Sequence, residues 1–79
     1  MRSELEIYQE ISEVLERRRE DLKMSKRQLA KLTGITPVYI REVLRGDRKP
    51  SVVILISLCS ALNLKISDLF LQLENQNKI

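Results

Sequence analysis

The sequence has 79 residues, of which 43% are hydrophobic and 32% charged, and its formal net charge is +3. Because domains usually contain about 100–200 residues, we expect one domain over residues 1–79. A single cysteine and the absence of histidine exclude an internal disulfide, a zinc finger and most chemistry that pairs a nucleophile with histidine. We therefore expect no metal, no other cofactor and no small-molecule ligand.

No segment of the sequence has the length and apolarity of a membrane-spanning helix. The longest apolar run covers residues 52–56, whereas a spanning helix needs roughly 20 apolar residues. The first residues turn acidic at Glu4 and lead into no apolar region of the kind that secretory signals contain. These features predict a cytoplasmic protein that does not enter a membrane.

The positive charge is concentrated in the middle third of the chain. Residues 25–50 contain seven basic and two acidic side chains, a net of +5, whereas residues 1–24 have a net of −2 and residues 51–79 are balanced. A local basic patch on a small domain is typical of polyanion binding, although a solvated basic surface has the same composition. The charge pattern alone leaves both interpretations open.

Five helices are predicted from residues that favour helix starts. Ser3 and Glu6 have the S-x-x-E pattern of a capping box. Ser25 and Ser51 are predicted N-caps of the second and fourth helices, and Thr36, followed by proline, is the N-cap of the third. The predicted helices cover residues 3–23, 26–33, 37–45, 51–62 and 67–75.

Residues that tolerate left-handed backbone are predicted to end three of these helices. They are Gly34 after the second helix, Gly46 after the third and Asn63 after the fourth. The fifth helix is predicted to begin at Ser67, and the polar tail over residues 74–79 is expected to fray.

Apolar residues recur at three- and four-residue spacings, which predicts amphipathic helices and an all-α fold. Arg18 interrupts the stripe of the first helix, and we expect its stem to lie over apolar neighbours while the guanidinium reaches water. Met24 is expected in the core and Cys59 to be an inert buried thiol. The other residues expected to face the core are Leu5, Tyr8, Ile11, Leu15, Leu22, Leu29, Ala30, Leu32, Ile40, Val43 and Leu44.

The second and third helices match the pattern of a helix-turn-helix, in which a short turn containing glycine frees the second helix for a DNA major groove. The sequence resembles the Cro/CI-type, or XRE-family, helix-turn-helix domain over residues 11–70. The resemblance implies a five-helix, lambda-repressor-like domain that usually acts as a dimer, with residues 3–10 as an N-terminal extension. It rests on the spacing of Leu29-Ala30, Gly34-Ile35, Tyr39-Ile40, Arg45-Gly46 and Lys49-Pro50-Ser51.

The resemblance also implies two sets of DNA-contacting residues. Side chains that face bases specify the sequence, whereas contacts to phosphates position the protein. The base-facing set is Pro37, Val38, Arg41 and Glu42. The set that contacts the DNA backbone is Lys26, Arg27, Thr36, Tyr39, Arg45, Arg48 and Lys49.

Some of these side chains have a second interpretation. Glu42 either accepts a hydrogen bond from a cytosine amino group or pairs with Arg45 one helical turn later. Tyr39 either donates to a phosphate or packs in the core. Pro37 and Val38 have no hydrogen-bonding side chain, so we expect apolar contact with a thymine methyl group and a contribution from DNA shape.

Two positions depart from the family pattern. Many members pair an arginine at the position of Arg19 with a glutamate at the position of Leu44. Here we expect Leu44 to be buried and Arg19 to find another carboxylate, a helix C-terminus or solvent. The fold should tolerate the change, because exchanging a buried ion pair for apolar packing is often neutral.

The fourth helix has no charged residue between Ser51 and Leu62. A helix with one solvated face normally carries charges there, so its apolar surface predicts burial against a partner. We expect a homodimer contact, and cover by the long first helix is the alternative. The proposed contact residues are Val53, Ile54, Ser57 and, from the fifth helix, Leu71.

These features favour a sequence-specific regulator that binds double-stranded DNA. The hypothesis is a dimeric repressor that places the third helix, residues 36–45, in the major groove. The alternative is a protein-interaction module, such as the antitoxin of a toxin–antitoxin pair, that binds a partner through the apolar face of the fourth helix. An enzyme is not expected, because so small a helical domain offers little concavity for an active site.

Overall fold

The computed structural model describes residues 2–76, apart from the side chain of Gln76. Within that range the chain forms helices and no strand, which confirms the predicted all-α fold. Residues 74–76 continue the last helix instead of fraying, and the rest of the tail, residues 77–79, lies outside the described range. The helices are α1 (Glu4–Asp21), α2 (Lys26–Thr33), α3 (Pro37–Arg45), α4 (Val52–Ala61) and α5 (Ile66–Gln76).

The predicted N-caps are confirmed at the first four helices. Ser3 and Ser25 form complete capping boxes with Glu6 and Gln28, respectively. Thr36 and Ser51 accept hydrogen bonds from backbone amides three residues later, at 3.3 and 3.2 Å. These side chains satisfy amide groups that have no partner inside the helix, which is why each helix begins where it does.

Residues with a left-handed backbone conformation follow α2, α3 and α4, as predicted, and a further such residue follows α1. Gly34, Gly46 and Asn63 have φ angles of 75°, 81° and 52°. Lys23, after α1, has a φ of 55° and was not predicted, because lysine carries no local signal for this backbone conformation. At Gly46 the backbone also passes close to α1, since a Cβ atom there would lie 3.5 Å from Ser12 Oγ.

The fifth helix begins one residue earlier than predicted, at Ile66. The backbone carbonyl of Lys65 accepts from the amides of Asp68 and Leu69, at 2.9 and 3.1 Å. Those bonds include Ile66 and Ser67 in the first turn, so Ser67 is not the residue that starts the helix.

A single apolar core lies where the helices meet. α1 packs against α3 and α5, α2 packs against α3 and α4, and α4 also contacts α5. Met24 is half-buried against this core, as expected of it. The buried hydrophobic residues are Ile11, Val14, Leu15, Leu29, Ala30, Ile40, Val43, Leu44, Leu55, Leu58, Cys59, Leu62, Leu69 and Leu73.

Three residues predicted to face the core are exposed instead. Leu5 lies in the N-terminal extension of α1, and Leu22 is the C-cap residue at the end of α1. Leu32 is 64% exposed. At about 100° of rotation per residue, the face of α2 that is centred on Leu29 and Ala30 passes through Thr33 and leaves Leu32 to one side.

Arg18 is half-buried and is bonded to backbone. Its Nε donates to the carbonyl oxygen of Leu62 at 2.9 Å, and its Nη2 donates to that of Asn63 at 3.1 Å. The guanidinium thereby satisfies carbonyl groups at the C-terminal end of α4, where a positive charge is favoured. The bond to Asn63 lies at the exposed surface, whereas the carbonyl partners themselves were not predicted.

Arg19 finds another carboxylate, as expected, and Leu44 is buried. The Arg19 guanidinium pairs with Glu16 and also donates to the carbonyl oxygen of Met24 at 2.7 Å. The hydrogen bond from Arg19 lowers the pKa of Glu16 below its ordinary value of 4.5, against an opposing effect of partial burial. The core therefore closes around Leu44 without the family's ion pair.

Cys59 lies on the buried side of α4, and its side chain is 1% exposed. Burial raises the pKa of its thiol, because the thiolate is poorly solvated there.

No single helix among the described residues is long and apolar enough to cross a membrane. α4 and α5 meet that criterion only as a pair, and a bend of 103° separates them.

Candidate nucleic-acid interface

The turn between α2 and α3 consists of residues 34–36 and is fixed by its own hydrogen bonds. The hydroxyl group of Thr33 donates to the carbonyl oxygen of Leu29 at 2.8 Å, and its oxygen accepts from the amide of Ile35 at 3.2 Å. Gly34 supplies the left-handed backbone that reverses the chain, and a Cβ atom there would meet open space. Two short helices joined by such a turn form a helix-turn-helix.

One face of α3 is buried and the opposite face is open. The buried face holds Ile40, Val43 and Leu44. At about 100° per residue, the remaining side chains of the helix fall on one continuous outer face. The outer face carries Pro37, Val38, Arg41, Glu42 and Arg45, of which Glu42 is half-buried and the others are exposed. The structure thus brings together all four residues predicted to face bases.

The residues predicted to contact phosphates lie in α2, in α3 with its N-cap, and in the loop that follows α3. Lys26 and Arg27 lie in the first turn of α2, and Thr36 lies at the N-cap of α3. Lys49 Nζ lies 3.0 Å from Glu4 Oε1 and 6.0 Å from the centre of the Tyr8 ring, so the basic loop contacts the start of α1. Sequence reasoning missed this contact because no local pattern links residues so far apart in the chain.

Arg48 lies against α3 and is held from two sides. Its guanidinium carbon is 4.7 Å from the centre of the Tyr39 ring. Its Nε and Nη2 atoms lie 3.1 and 3.0 Å from Glu42 Oε1. The predicted alternative of a Glu42–Arg45 pair was wrong, because Arg45 pairs with Asp47 at 3.3 Å and the turn at Gly46 returns the loop over α3.

Tyr39 packs against the core, which was one of its two predicted roles, and its contact with a phosphate stays a prediction. Its ring is half-buried and packs against the core, while its other side supports Arg48. The two alternatives for this residue are therefore compatible, since an aromatic ring has an apolar body and a polar tip.

The face of α4 that was predicted to be covered is open in the single chain. Val52, Val53 and Ile56 are 65%, 71% and 50% exposed. Cover by α1 was wrong, because α1 packs against α3 and α5 and leaves these side chains free. Of the remaining residues proposed for a dimer contact, Ile54 packs partly against the core, Ser57 is half-buried and Leu71 is exposed.

Among residues 2–76, no three histidine, cysteine, aspartate or glutamate side chains converge as they would around a metal ion. The buried side-chain nitrogen and oxygen atoms of these residues all have hydrogen-bond partners. The polar groups that remain available are therefore on the surface, and four of the basic residues, Arg41, Arg45, Arg48 and Lys49, lie on α3 and the loop that follows it.

Comparisons with known proteins agree with this geometry. A family model described as helix-turn-helix matches residues 15–69. No curated protein matches the sequence.

Solved structures of similar fold include regulators. The clp gene regulator ClgR from Corynebacterium glutamicum aligns with a TM-score of 0.82 and 26% identity, over 89% of this chain and 74% of that one. A second ClgR structure has a TM-score of 0.80 and 26% identity, over 87% of this chain and 88% of that one.

A further solved structure has low sequence identity to this chain, so the match shows a shared fold and nothing more. A single-substitution mutant of the restriction-modification controller protein C.Esp1396I aligns with a TM-score of 0.81 and 21% identity, over 96% of this chain and 94% of that one.

Because the family model covers most of the chain and carries the turn and α3, this chain belongs to the Cro/CI-type, or XRE, helix-turn-helix family of DNA-binding transcription regulators.

Proposed function

We propose that the chain is a transcriptional repressor that binds double-stranded DNA as a homodimer and places α3 in the major groove. The observation that carries the proposal is the outer face of α3, which is free of core contacts and surrounded by cations. An α-helix fits the major groove of B-DNA, where the edges of the base pairs are distinguishable.

The base contacts of this proposal come from three exposed side chains of α3. Pro37 and Val38 offer apolar surface to thymine methyl groups, and Arg41 offers paired donors of the kind that bind guanine. Glu42 faces the same groove, but its carboxylate is already an acceptor for Arg48. Direct hydrogen bonding to bases is therefore sparse, and DNA shape contributes to specificity.

The phosphate contacts come from both ends of the helix-turn-helix. Lys26, Arg27 and Thr36 lie near helix N-termini, where backbone amides favour an anion. On the other side, the contacts are assigned to Tyr39, Arg45, Arg48 and Lys49. Such contacts fix the orientation of the protein and make binding dependent on salt.

The dimer contact of this proposal is the open face of α4. Val53 and Leu71 supply exposed apolar surface, and Ile54 and Ser57 lie beside it with partial burial. A symmetric helix-turn-helix dimer sets its two recognition helices about 34 Å apart, which is one turn of DNA. The expected site is therefore a pseudo-palindrome.

Selection of bound duplexes from a random DNA pool, at two salt concentrations, tests the proposal. We expect enrichment of a two-fold symmetric motif with half-sites about one helical turn apart. Binding that depends steeply on salt but selects no motif would leave only phosphate contacts, and it would contradict sequence-specific regulation. A cell-based reporter with the selected site then separates repression from activation.

A second candidate function rests on the same α4 face. An apolar surface with no charged residue also suits a different protein, as in the antitoxin of a toxin–antitoxin pair. In that case the purified chain is monomeric or aggregated until its partner is added. A symmetric dimer in the absence of any other protein would exclude this need for a partner.

A further inference from the structure

The side chains of Glu42, Arg48 and Tyr39 form a unit at the edge of the α3 face. Arg48 and Glu42 are half-exposed, at 47% and 36% of their side-chain surface, so both remain accessible to a ligand. We propose that Glu42 is a positioning residue, which orients Arg48 for DNA and does not itself contact a base. This inference rests on the proposed DNA-binding function.

The geometry indicates that Glu42 restricts the orientation of the Arg48 side chain more than it stabilises the fold. The Nε of Arg48 donates a hydrogen bond to Oε1 of Glu42, the Nη2 atom lies 3.0 Å from the same oxygen, and the Arg48 guanidinium lies over the Tyr39 ring. An exposed ion pair contributes little to folding. It does restrict a long side chain that would otherwise sample many rotamers, and this restriction lowers the entropic cost of binding.

The charges also favour this arrangement near DNA. A carboxylate on the outer face of α3 would repel phosphates if it were unpaired. With Arg48 bound to it, the pair is neutral overall, and the unused Nη1 group of Arg48 remains available to DNA. Docking removes water from the pair and strengthens the attraction between its members.

Three roles for Glu42 predict different outcomes. If Glu42 positions Arg48, Glu42→Ala weakens DNA binding only while Arg48 is present. If Glu42 accepts from a cytosine, the loss is the same with and without Arg48. If Glu42 merely neutralises Arg48, Glu42→Ala tightens binding.

A double-mutant cycle with E42A, R48A and the double variant therefore tests the proposal. The affinity is measured on a duplex that the wild-type chain selects, by fluorescence anisotropy at fixed salt. We expect Glu42→Ala to weaken binding by about tenfold in the wild-type background, the scale of one well-placed bidentate contact. In the Arg48→Ala background, removal of Glu42 should leave the affinity unchanged or improve it, because an unpaired carboxylate is lost.

Conservative variants separate geometry from charge. Glu42→Gln keeps an acceptor oxygen and should restore part of the affinity lost in Glu42→Ala. Arg48→Lys keeps the charge but has neither the planar fork nor the stacking surface, so it should bind about as weakly as Glu42→Ala. Equal affinity of Arg48→Lys and wild type would overturn the proposal.

The Arg45–Asp47 pair is the matched control, since Asp47 lies in the same loop as Arg48 and the described residues place no aromatic ring against Arg45. Asp47→Ala removes a carboxylate near DNA and should tighten binding slightly, the opposite sign to Glu42→Ala. If Asp47→Ala and Glu42→Ala change the DNA affinity in the same direction, the positioning role proposed for Glu42 is excluded.

A measurement without DNA keeps the inference separate from the proposed function. In the free protein, the Arg48 Nε–Hε group should show a rigid heteronuclear NOE that is lost in Glu42→Ala. If the wild-type chain selects no duplex, the DNA-binding proposal fails while this result still tests the geometry. A mobile Arg48 in the wild type would contradict the positioning role directly.

Discussion

Ser12 is the one buried polar residue among the described part of the chain, and it joins α1 to α3. Its hydroxyl group lies 2.7 Å from the carbonyl oxygen of Val43 and 2.9 Å from that of Tyr8. The contact to Val43 reaches the last turn of α3, so a single side chain on α1 helps to fix the end of that helix.

Ser12→Ala should lower the free energy of unfolding by about 1 kcal/mol, the typical net value of a buried hydrogen bond. Urea denaturation followed by circular dichroism measures the change. Ser60→Ala, at an exposed position of α4, is the control and should stay within about 0.5 kcal/mol of wild type. Equal stability of the two variants would show that the Ser12 contact contributes nothing.

Because of Glu16, the free energy of unfolding should depend on pH in the acidic range. Because its pKa is lowered by Arg19, the folded state favours the ionised carboxylate more than the unfolded state does. This contribution is fully present above the ordinary value of 4.5 and is lost as the pH falls through the lowered pKa of the folded state. Solvent screening keeps it small, since the pair is near the surface.

Glu16→Gln should therefore flatten part of the decline in unfolding free energy below a pH of about 4.5. Urea melts at several pH values compare it with Glu13→Gln, an exposed carboxylate of the same helix with no ion pair in the described structure. A decline that is as steep in Glu16→Gln as in wild type would argue against the Arg19 pairing.

At the scale of the helices, most boundaries follow from local signals. Ser3, Ser25, Thr36 and Ser51 were predictable N-caps because the side chain and the amide that it satisfies are three residues apart. Exposure was harder to predict, and Leu32 shows why. Its place depends on which face of α2 meets α3 and α4, and the sequence of a two-turn helix does not specify that rotation.

The side-chain pairs of the site were the least predictable part. Glu42 pairs with Arg48 because the left-handed turn at Gly46 returns the chain over α3. The spacing along the helix favoured Arg45 instead, which satisfies the local rule but has a nearer partner in Asp47. The set of residues on the outer face of α3 was implied by the family resemblance, whereas their partners depend on the path of the loop.

Lys23 offers a test of how a helix ends. Lys23→Gly should raise the free energy of unfolding by about 0.5–1 kcal/mol, because glycine adopts a positive φ angle without strain. The control is Arg17→Gly, in the interior of α1, which should cost about 1 kcal/mol. Thermal melts of both variants give the sign, and a destabilised Lys23→Gly would contradict the left-handed conformation.

On the scale of the whole molecule, the surface has two contrasting faces. The outer face of α3 carries charged side chains beside the apolar Pro37 and Val38, whereas the face of α4 is apolar and carries no charge. In the proposed dimer, the α4 face sets the spacing between two α3 helices, and so it controls which DNA sites fit without touching them.

Val53→Glu should convert the proposed dimer into a monomer, because it places a charge in the centre of an apolar contact. Sedimentation equilibrium measures the mass directly. Leu5→Glu is the matched control, since Leu5 is also exposed but lies on α1, and it should leave the mass unchanged. A wild-type monomer, or a Val53→Glu variant with the wild-type mass, would exclude this interface.

The burial of Cys59 has a practical consequence for mapping the complex. The sequence contains no other cysteine, and its thiol is both inaccessible and disfavoured as a thiolate. A cysteine introduced at Lys31, an exposed residue of α2 to which no DNA contact is assigned, would therefore be the reactive thiol of the folded chain. An iron chelate attached there would cleave nearby DNA, and the positions of the cuts would report the register of the helix-turn-helix on the duplex without a crystal.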